Sequence, residues 1–126
     1  MINNIYFNEQ ILTIDSSQGI KRIDLGQKIE EILLFADRIF VRFEPEGLYG
    51  TEFYNRNIVC LDENGAQLWR VEDPDWYRSG KEKTENPFVW MSSSERGVLR
   101  GATWDCFHMD IDVSTGKLGK DWDYHK

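Results

Sequence analysis

The chain has 126 residues, of which 40% are hydrophobic and 29% are charged, a balance typical of one globular domain. A domain of this length buries enough apolar surface to fold without a metal ion or a disulfide. The formal net charge is −7, and such a surface repels phosphate backbones and anionic lipids, which disfavours nucleic acids and membrane surfaces as partners.

The composition also favours sheet over helix. Aromatic residues make up 13% of the chain, with five Trp, and aromatic side chains suit the pleated, half-buried surface of a sheet. We predict a single all-β domain over residues 1–126, built as an antiparallel meander of hairpins with seven to ten short strands. We expect it to close as a sandwich or a partly open barrel.

Three strand–turn–strand patterns occur along the chain, at residues 12–20, 59–69 and 109–118. In each, two apolar residues at a spacing of two precede an Asp, and a Gly follows after a few small or polar residues. The Asp is expected to accept hydrogen bonds from backbone amides of the turn, and the Gly supplies the positive φ that closes it. The patterns therefore predict three hairpins whose inward pairs are Leu12/Ile14, Val59/Leu61 and Met109/Ile111.

The same hairpins suggest internal repetition. Their turn residues Asp15, Asp62 and Asp112 follow one another at intervals of 47 and 50 residues, which resembles the length of one β-propeller blade. Hairpins of this kind are also common in all-β proteins, so a chance coincidence stays open as the alternative.

The segment 29–43 lies between the first two hairpins. Ile39, Val41 and Phe43 alternate with Arg42, which predicts a strand. Residues 29–36 carry apolar residues at both strand and helix spacing. We favour a strand that pairs with residues 39–43 through a tight turn at 36–38, with a helix as the alternative.

The predicted core collects the inward positions of these strands and most of the large aromatic residues. It consists of Leu12, Ile14, Ile39, Val41, Phe43, Val59, Leu61, Leu68, Trp69, Phe88, Trp90, Phe107, Met109, Ile111 and Trp122.

Two loops, residues 44–50 and 72–87, are the candidate contact surfaces. The second is long and polar, and loops of that length inside compact domains are usually functional. Trp and Tyr are enriched at interface hot spots, and acidic groups steer a basic partner. The predicted partner-binding residues are Glu72, Asp73, Asp75, Trp76, Tyr77, Glu46 and Tyr49. The alternative is that Trp76 and Tyr77 fold back as a lid over the core.

One strand carries residue types used in catalysis. Strand alternation places Cys106, His108 and Asp110 on the face opposite Phe107 and Met109. A thiol, an imidazole and a carboxylate form a nucleophilic set only within hydrogen-bond reach, and residues two apart on a strand stand too far from one another. We therefore predict no catalytic residue and a non-enzymatic protein.

Metal and cofactor motifs are also missing from the sequence. His108 and His125 have no partner at zinc-ligand spacing, and no Cys-x-x-Cys or phosphate-binding glycine loop occurs. We predict no metal and no cofactor. Cys60 and Cys106 fit reduced, buried thiols of a cytoplasmic protein, with a disulfide between them left open. The N-terminal residues lack the pattern of a signal peptide, and no apolar run reaches membrane-spanning length, which also favours the cytoplasm.

Two motifs carry a resemblance to known proteins. One runs from Asn57-Ile58 through Asp62 and Gly65 to Trp69, and the other from Trp104-Asp105 through Ile111-Asp112 to Thr115-Gly116-Lys117. The first resembles the blade motif of quinoprotein-type propeller repeats. Over residues 29–71 and 98–126 the chain resembles short, uncharacterised bacterial all-β proteins. Some of those are thought to be immunity proteins of secreted toxins, so the resemblance implies such a role.

The sequence thus supports two functional hypotheses. The leading one is a cytoplasmic immunity protein that binds and neutralises a basic toxin domain, such as a nuclease. It is expected from the resemblance, the acidic charge and the aromatic loop. The alternative is a small-ligand or carbohydrate-binding β module that uses exposed Trp side chains, or a subunit of a propeller-like assembly. The oligomeric state stays open.

Overall fold

The computed structural model of the chain describes residues 1–74, 85–94 and 97–124, with side chains up to residue 119. Within these ranges it contains eleven β-strands and one short 3-10 helix, Pro45–Leu48, so the predicted all-β class is confirmed. The strands are β1 (Ile2–Asn8), β2 (Ile11–Ser16), β3 (Gly19–Asp24), β4 (Ile29–Phe35), β5 (Arg38–Phe43), β6 (Ile58–Leu61), β7 (Gln67–Arg70), β8 (Phe88–Ser93), β9 (Leu99–Thr103), β10 (Phe107–Ile111) and β11 (Leu118–Tyr124).

The predicted number of seven to ten strands was too low. Edge strands such as β1 and β3 are mostly exposed, so they lack the apolar alternation that marks a half-buried strand. Pairing with β2 holds both of them in place through backbone hydrogen bonds.

The strands of the described ranges form three antiparallel sheets, each a meander in chain order: β1–β3, β4–β7 and β8–β11. We call them sheets 1, 2 and 3. None of them closes into a barrel, which is consistent with the sandwich form of the prediction. The first strands of neighbouring sheets lie beside one another, since β4 contacts both β1 and β8.

Sheet 2 lies between the other two and packs against both of them. One hydrophobic cluster joins it to sheet 1 and includes Leu12, Ile14, Val41 and Leu61. The other cluster joins it to sheet 3 and includes Phe40, Trp69, Phe88 and Met109. Strand β6 is buried along its whole length because its side chains enter both clusters alternately.

All three predicted hairpins are present, as β2–β3, β6–β7 and β10–β11. Gly19, Gly65 and Gly116 each have a positive φ in the turn. The Oδ1 atom of Asp62 accepts hydrogen bonds from two turn amides at 2.8 and 3.0 Å, and Asp112 accepts one at 2.8 Å. These contacts hold the turns as predicted.

The first hairpin differs in one detail from the expected arrangement. The Oγ of Ser16, and not the carboxylate of Asp15, accepts the hydrogen bond from the turn amide of Gln18, at 3.2 Å. Asp15 sits one residue earlier, inside β2 and opposite Ile20, so its side chain is too far back to cap the turn.

Residues 29–35 form a strand, as favoured from the sequence. The turn to β5 consists of Ala36 and Asp37, both in the left-handed region with φ of 53° and 55°. Two consecutive left-handed residues define a tight turn whose twist matches that of the flanking strands. Phe35 and Arg38 therefore pair directly across it.

Two of the predicted core residues are wrong. Leu68 is 47% exposed and Trp90 is 40% exposed. Leu68 and Trp69 are neighbours on one strand, so only one of them faces inward, and Trp69 takes that position. A bulge between Phe88 and Trp90 changes the alternation of β8, and Met91 is buried instead. Phe107 is half-buried, Trp122 lies outside the described side chains, and the other predicted core residues are buried.

The buried Asn57 connects sheets 2 and 3. Its Nδ2 donates hydrogen bonds to the carbonyl oxygens of Phe43, at 2.9 Å, and Phe88, at 2.8 Å. Its Oδ1 accepts a bond from the Phe88 amide at 2.9 Å. One side chain thus satisfies three backbone groups and fixes the start of β8 against β5.

Candidate functional site

The predicted partner-binding residues that the structure describes are divided between two cavities. Glu46 and Tyr49 line one of them, and Glu72 and Asp73 line the other. The remaining predicted residues, Asp75, Trp76 and Tyr77, lie outside the described residues. The two cavities differ in chemical character, so each is described separately.

The first cavity has a volume of about 450 Å³ and lies between the segment that follows β5 and the near end of sheet 3. We call it the aromatic groove. Besides two prolines, it is lined by Tyr49, Tyr54, Val89, Trp104, Glu46 and Glu85.

Local structure positions its aromatic side chains. The 3-10 helix begins at Pro45 and carries the chain to Tyr49, whose ring meets that of Tyr54 edge-on at 5.4 Å. Trp104 lies in the turn between β9 and β10, where its amide donates a hydrogen bond to the Pro87 carbonyl at 3.0 Å. Tyr49 is 63% exposed and Trp104 is 73% exposed, so the groove presents two large aromatic surfaces to solvent.

The electrostatic character of the groove is acidic. Glu46 and Glu85 are both exposed, and no basic side chain lines the cavity among the described residues. Burial, the Glu85 carboxylate and the neighbouring Tyr49 together raise the pKa of Tyr54 above its ordinary value. The Tyr54 phenol therefore stays neutral and available as a hydrogen-bond donor at physiological pH.

The second cavity has a volume of about 470 Å³ and lies beside the turn of the β10–β11 hairpin. We call it the arginine cleft, because Arg56 and Arg70 line it together with Lys117, Glu52 and the acidic pair predicted from sequence, Glu72 and Asp73.

The acidic pair makes structural contacts in this cleft. Glu72 accepts a hydrogen bond from the Leu118 amide at 3.1 Å, and its own amide donates to the Gly116 carbonyl at 3.0 Å. Asp73 accepts a bond from Asn55 at 3.2 Å, and Asn55 in turn accepts one from the Asn86 amide. Both predicted acidic residues thus anchor the chain on the N-terminal side of residues 75–84.

Trp104, Arg56 and Arg70 were missed as candidates by the sequence reasoning. The sequence around Trp104 could have indicated an exposed side chain. This Trp stands directly before a turn residue and outside any alternating run, so it is a poor candidate for the core. No local pattern indicated the two arginines. They come together only because residue 56 precedes β6 and residue 70 ends β7, so that antiparallel pairing brings both to the open end of the β6–β7 hairpin.

The strand residues tested for catalysis do not form a set. Cys106 has a φ of 72° and precedes β10, so it leaves the strand face on which alternation had placed it. The His108 ring packs on Trp90 at 5.3 Å, and Asp110 forms an ion pair with Arg100 at 2.9 Å. Each of the three groups is therefore engaged in a different environment.

Cys60 and Cys106 are both free thiols, so the disulfide left open by the sequence is not formed. Among the described residues, no group of three or more His, Cys, Asp and Glu side chains could hold a metal ion. Within the same part of the chain, no helix has the length and apolar character needed to cross a membrane.

Two solved structures of computationally designed proteins are similar to this chain. Ika4 aligns with a TM-score of 0.53 and 15% sequence identity over 99% of this chain and 74% of its own. Ika8 aligns with a TM-score of 0.51 and 15% identity over 98% of this chain, which spans only 37% of the Ika8 length. At this identity the likeness concerns the fold alone.

Curated proteins provide no match to the sequence. One family model does match, and it covers residues 2–122, which is nearly the whole chain. That family is described as a domain of unknown function, and the chain belongs to it: it is a member of the DUF7957 family.

Proposed function

We propose that this protein is a non-enzymatic binding protein whose aromatic groove docks a basic protein partner. The observation that carries the proposal is the pair of exposed aromatic side chains, Tyr49 and Trp104, which share one groove with two exposed acidic side chains. Trp and Tyr dominate interface hot spots, and an exposed Trp in a concave site is costly to leave in water. Glu46 and Glu85 supply the charge that complements a basic surface.

The net charge of −7 extends this complementarity to the whole molecule, since it speeds encounter with a basic protein. We further propose that the partner is a toxin domain, such as a nuclease, and that the protein acts as its immunity protein in the bacterial cytoplasm. The resemblance to short bacterial all-β proteins and the acidic aromatic groove support this finer assignment.

We also propose that the three hairpins are repeats of a propeller-blade type. A shared packing contact supports the idea. The turn glycine Gly65 packs on Ile23, and the turn glycine Gly116 packs on Trp69. In each case the contacted residue lies four positions after the turn glycine of the preceding hairpin. The same type of contact therefore joins the second hairpin to the first and the third hairpin to the second.

Affinity capture from the native source tests the docking proposal. The bait is the wild-type chain, compared with a Tyr49→Ala/Trp104→Ala variant and with a control, Tyr6→Ala/Leu68→Ala, that removes exposed apolar groups elsewhere. We expect one basic protein on the wild-type and control baits, released by raised salt and absent from the groove variant. Equal retention by the groove variant, or no basic protein on the wild-type bait, would contradict the proposal.

A second candidate function rests on Trp104 alone. A Trp ring that is 73% exposed beside a 450 Å³ groove offers an apolar surface on which a sugar ring can pack. Saturable quenching of Trp fluorescence by a carbohydrate, lost in Trp104→Ala, would favour this candidate. No quenching across a broad panel of sugars would count against it.

A further inference from the structure

The arginine cleft holds two guanidinium groups in fixed positions. The Nε of Arg56 donates a hydrogen bond to the Val71 carbonyl at 2.9 Å, and the Nε of Arg70 donates to the Arg56 carbonyl at 2.6 Å. Each side chain is therefore tied to the backbone at one nitrogen. Among the described residues, no hydrogen bond occupies the two terminal nitrogens of either guanidinium group, and both groups line the cleft.

Aromatic packing restrains Arg70 further. Its guanidinium carbon lies 4.1 Å from the centre of the Phe53 ring, a close cation–π contact. Burial and the neighbouring charge of Arg56, only partly opposed by Glu52, lower the pKa of Arg70 to about 10. The group is still protonated at neutral pH, and within the described ranges no ion pair offsets its burial and its repulsion from Arg56.

The carboxylates that line the cleft, Glu52, Glu72 and Asp73, lie near this pair without forming a direct ion pair with it among the described residues. The Glu72 carboxylate accepts a hydrogen bond from the Leu118 amide, and the Asp73 carboxylate accepts one from the Asn55 side chain. Within the described ranges, neither Arg56 nor Arg70 forms an ion pair with an acidic side chain. The cleft thus gathers two restrained cations without direct acidic partners, on a protein whose overall charge is negative.

We propose that the arginine cleft is a binding site for a small oxyanion, a phosphate or carboxylate group, held by the terminal nitrogens of Arg56 and Arg70 with Lys117 at its rim. Arg forks match the planar or tetrahedral oxygens of such groups and bind them through paired, charge-assisted hydrogen bonds. A bound anion would also relieve the repulsion between the two guanidinium groups. The volume of about 470 Å³ suits a small ligand, and the site is separate from the aromatic groove.

The test is an NMR titration of the full chain with inorganic phosphate and, in a second arm, with citrate, both at constant ionic strength with chloride as the reference. We expect saturable shifts of the Arg56 and Arg70 Nε–H signals and of the Gly116 and Lys117 amides. Saturation by phosphate alone assigns a phosphate ligand, and saturation by citrate alone assigns a carboxylate. No saturable shift by either anion would overturn the proposal.

Variants separate a specific site from general charge attraction. Arg56→Gln is expected to weaken binding by about tenfold, because it removes one charged fork. Arg22→Gln makes the same change of charge on an exposed part of β3 and is expected to leave binding unchanged. If Arg56→Gln fails to fold, Lys117→Gln replaces it, with weaker binding again expected. Equal weakening by Arg22→Gln would show that the cleft is not the site.

Discussion

Cys60 is fully buried in β6, and burial raises the pKa of its thiol to about 11, compared with 9.0 for an exposed thiol. The folded protein therefore keeps this proton up to about pH 11, whereas the unfolded chain releases it near pH 9. Since the folded state binds more protons in this range, the free energy of unfolding falls as the pH rises from 9 to 11.

We predict that this residue lowers the free energy of unfolding by up to about 3 kcal/mol between pH 9 and 11. Urea unfolding of the wild type and of Cys60→Ala at each pH isolates the effect, because all other groups titrate alike in both proteins. The difference between the two stabilities should shrink as the pH rises. A difference that stays constant from pH 9 to 11 would contradict the prediction.

The turn at Ala36 and Asp37 is a second feature at the residue scale. Both residues are left-handed, and an Ala side chain disfavours that conformation, whereas Asn-Gly adopts it readily. The double variant Ala36→Asn/Asp37→Gly is predicted to raise the free energy of unfolding by about 1 kcal/mol. Ala66→Asn, at an exposed site without a positive φ, serves as the control and should bring no gain in the same thermal or urea unfolding experiment.

At the scale of elements, the packing of hairpin turns on the preceding sheet is the contact to test. A Cβ at Gly116 would lie 2.8 Å from the Trp69 ring carbon Cδ2, too close for a real contact. Gly97 has nearly the same φ, 75° against 78°, but a Cβ there meets no atom within 4 Å. A side chain added at either position therefore strains the backbone, but only one added at Gly116 also clashes with the Trp69 ring.

We predict that Gly97→Ala lowers the free energy of unfolding by about 1 kcal/mol through strain alone, and that Gly116→Ala costs about 1–3 kcal/mol more through overpacking. Denaturant unfolding of both variants measures the difference. Near-UV circular dichroism should also report a changed Trp69 environment in Gly116→Ala only. Equal costs for the two variants would show that the β10–β11 turn does not depend on this contact.

The same elements show what the sequence could predict. The hairpins were found because Asp62, Asp112 and the turn glycines form their hydrogen bonds and positive φ angles within a few residues of one another. Trp90 was misplaced because a bulge in β8 shifts the alternation, and a bulge depends on the partner strand. Local chemistry is readable from sequence, whereas register is decided by pairing.

The candidate site was less predictable for the same reason. Glu46 and Tyr49 were placed in a contact loop, and the structure puts both in the aromatic groove. Trp104 joins them from a turn more than fifty residues later, and the two arginines of the cleft meet across a hairpin. Such neighbours share no local pattern. The position of sheet 3 beside the segment after β5 brings Trp104 to Tyr49, and the pairing of β6 with β7 brings Arg56 to Arg70.

At the scale of the whole molecule, charge and aromatic surface are expected to have separate roles in binding. The net charge and the carboxylates of Glu46 and Glu85 should govern the rate of encounter and its dependence on salt. The Trp104 and Tyr49 rings should govern the lifetime of the complex, since buried aromatic groups hold interfaces together. These roles predict different responses to mutation.

The most direct measurement is the dissociation constant of the captured basic partner, determined by calorimetry at low and high salt. Four proteins are compared: the wild type, Trp104→Ala, Glu46→Gln/Glu85→Gln and the control Tyr6→Ala. We predict that Trp104→Ala raises the constant by about tenfold or more at both salt concentrations, that the acidic variant reduces the salt dependence, and that the control matches the wild type. A Trp104→Ala constant equal to that of the control would contradict the account.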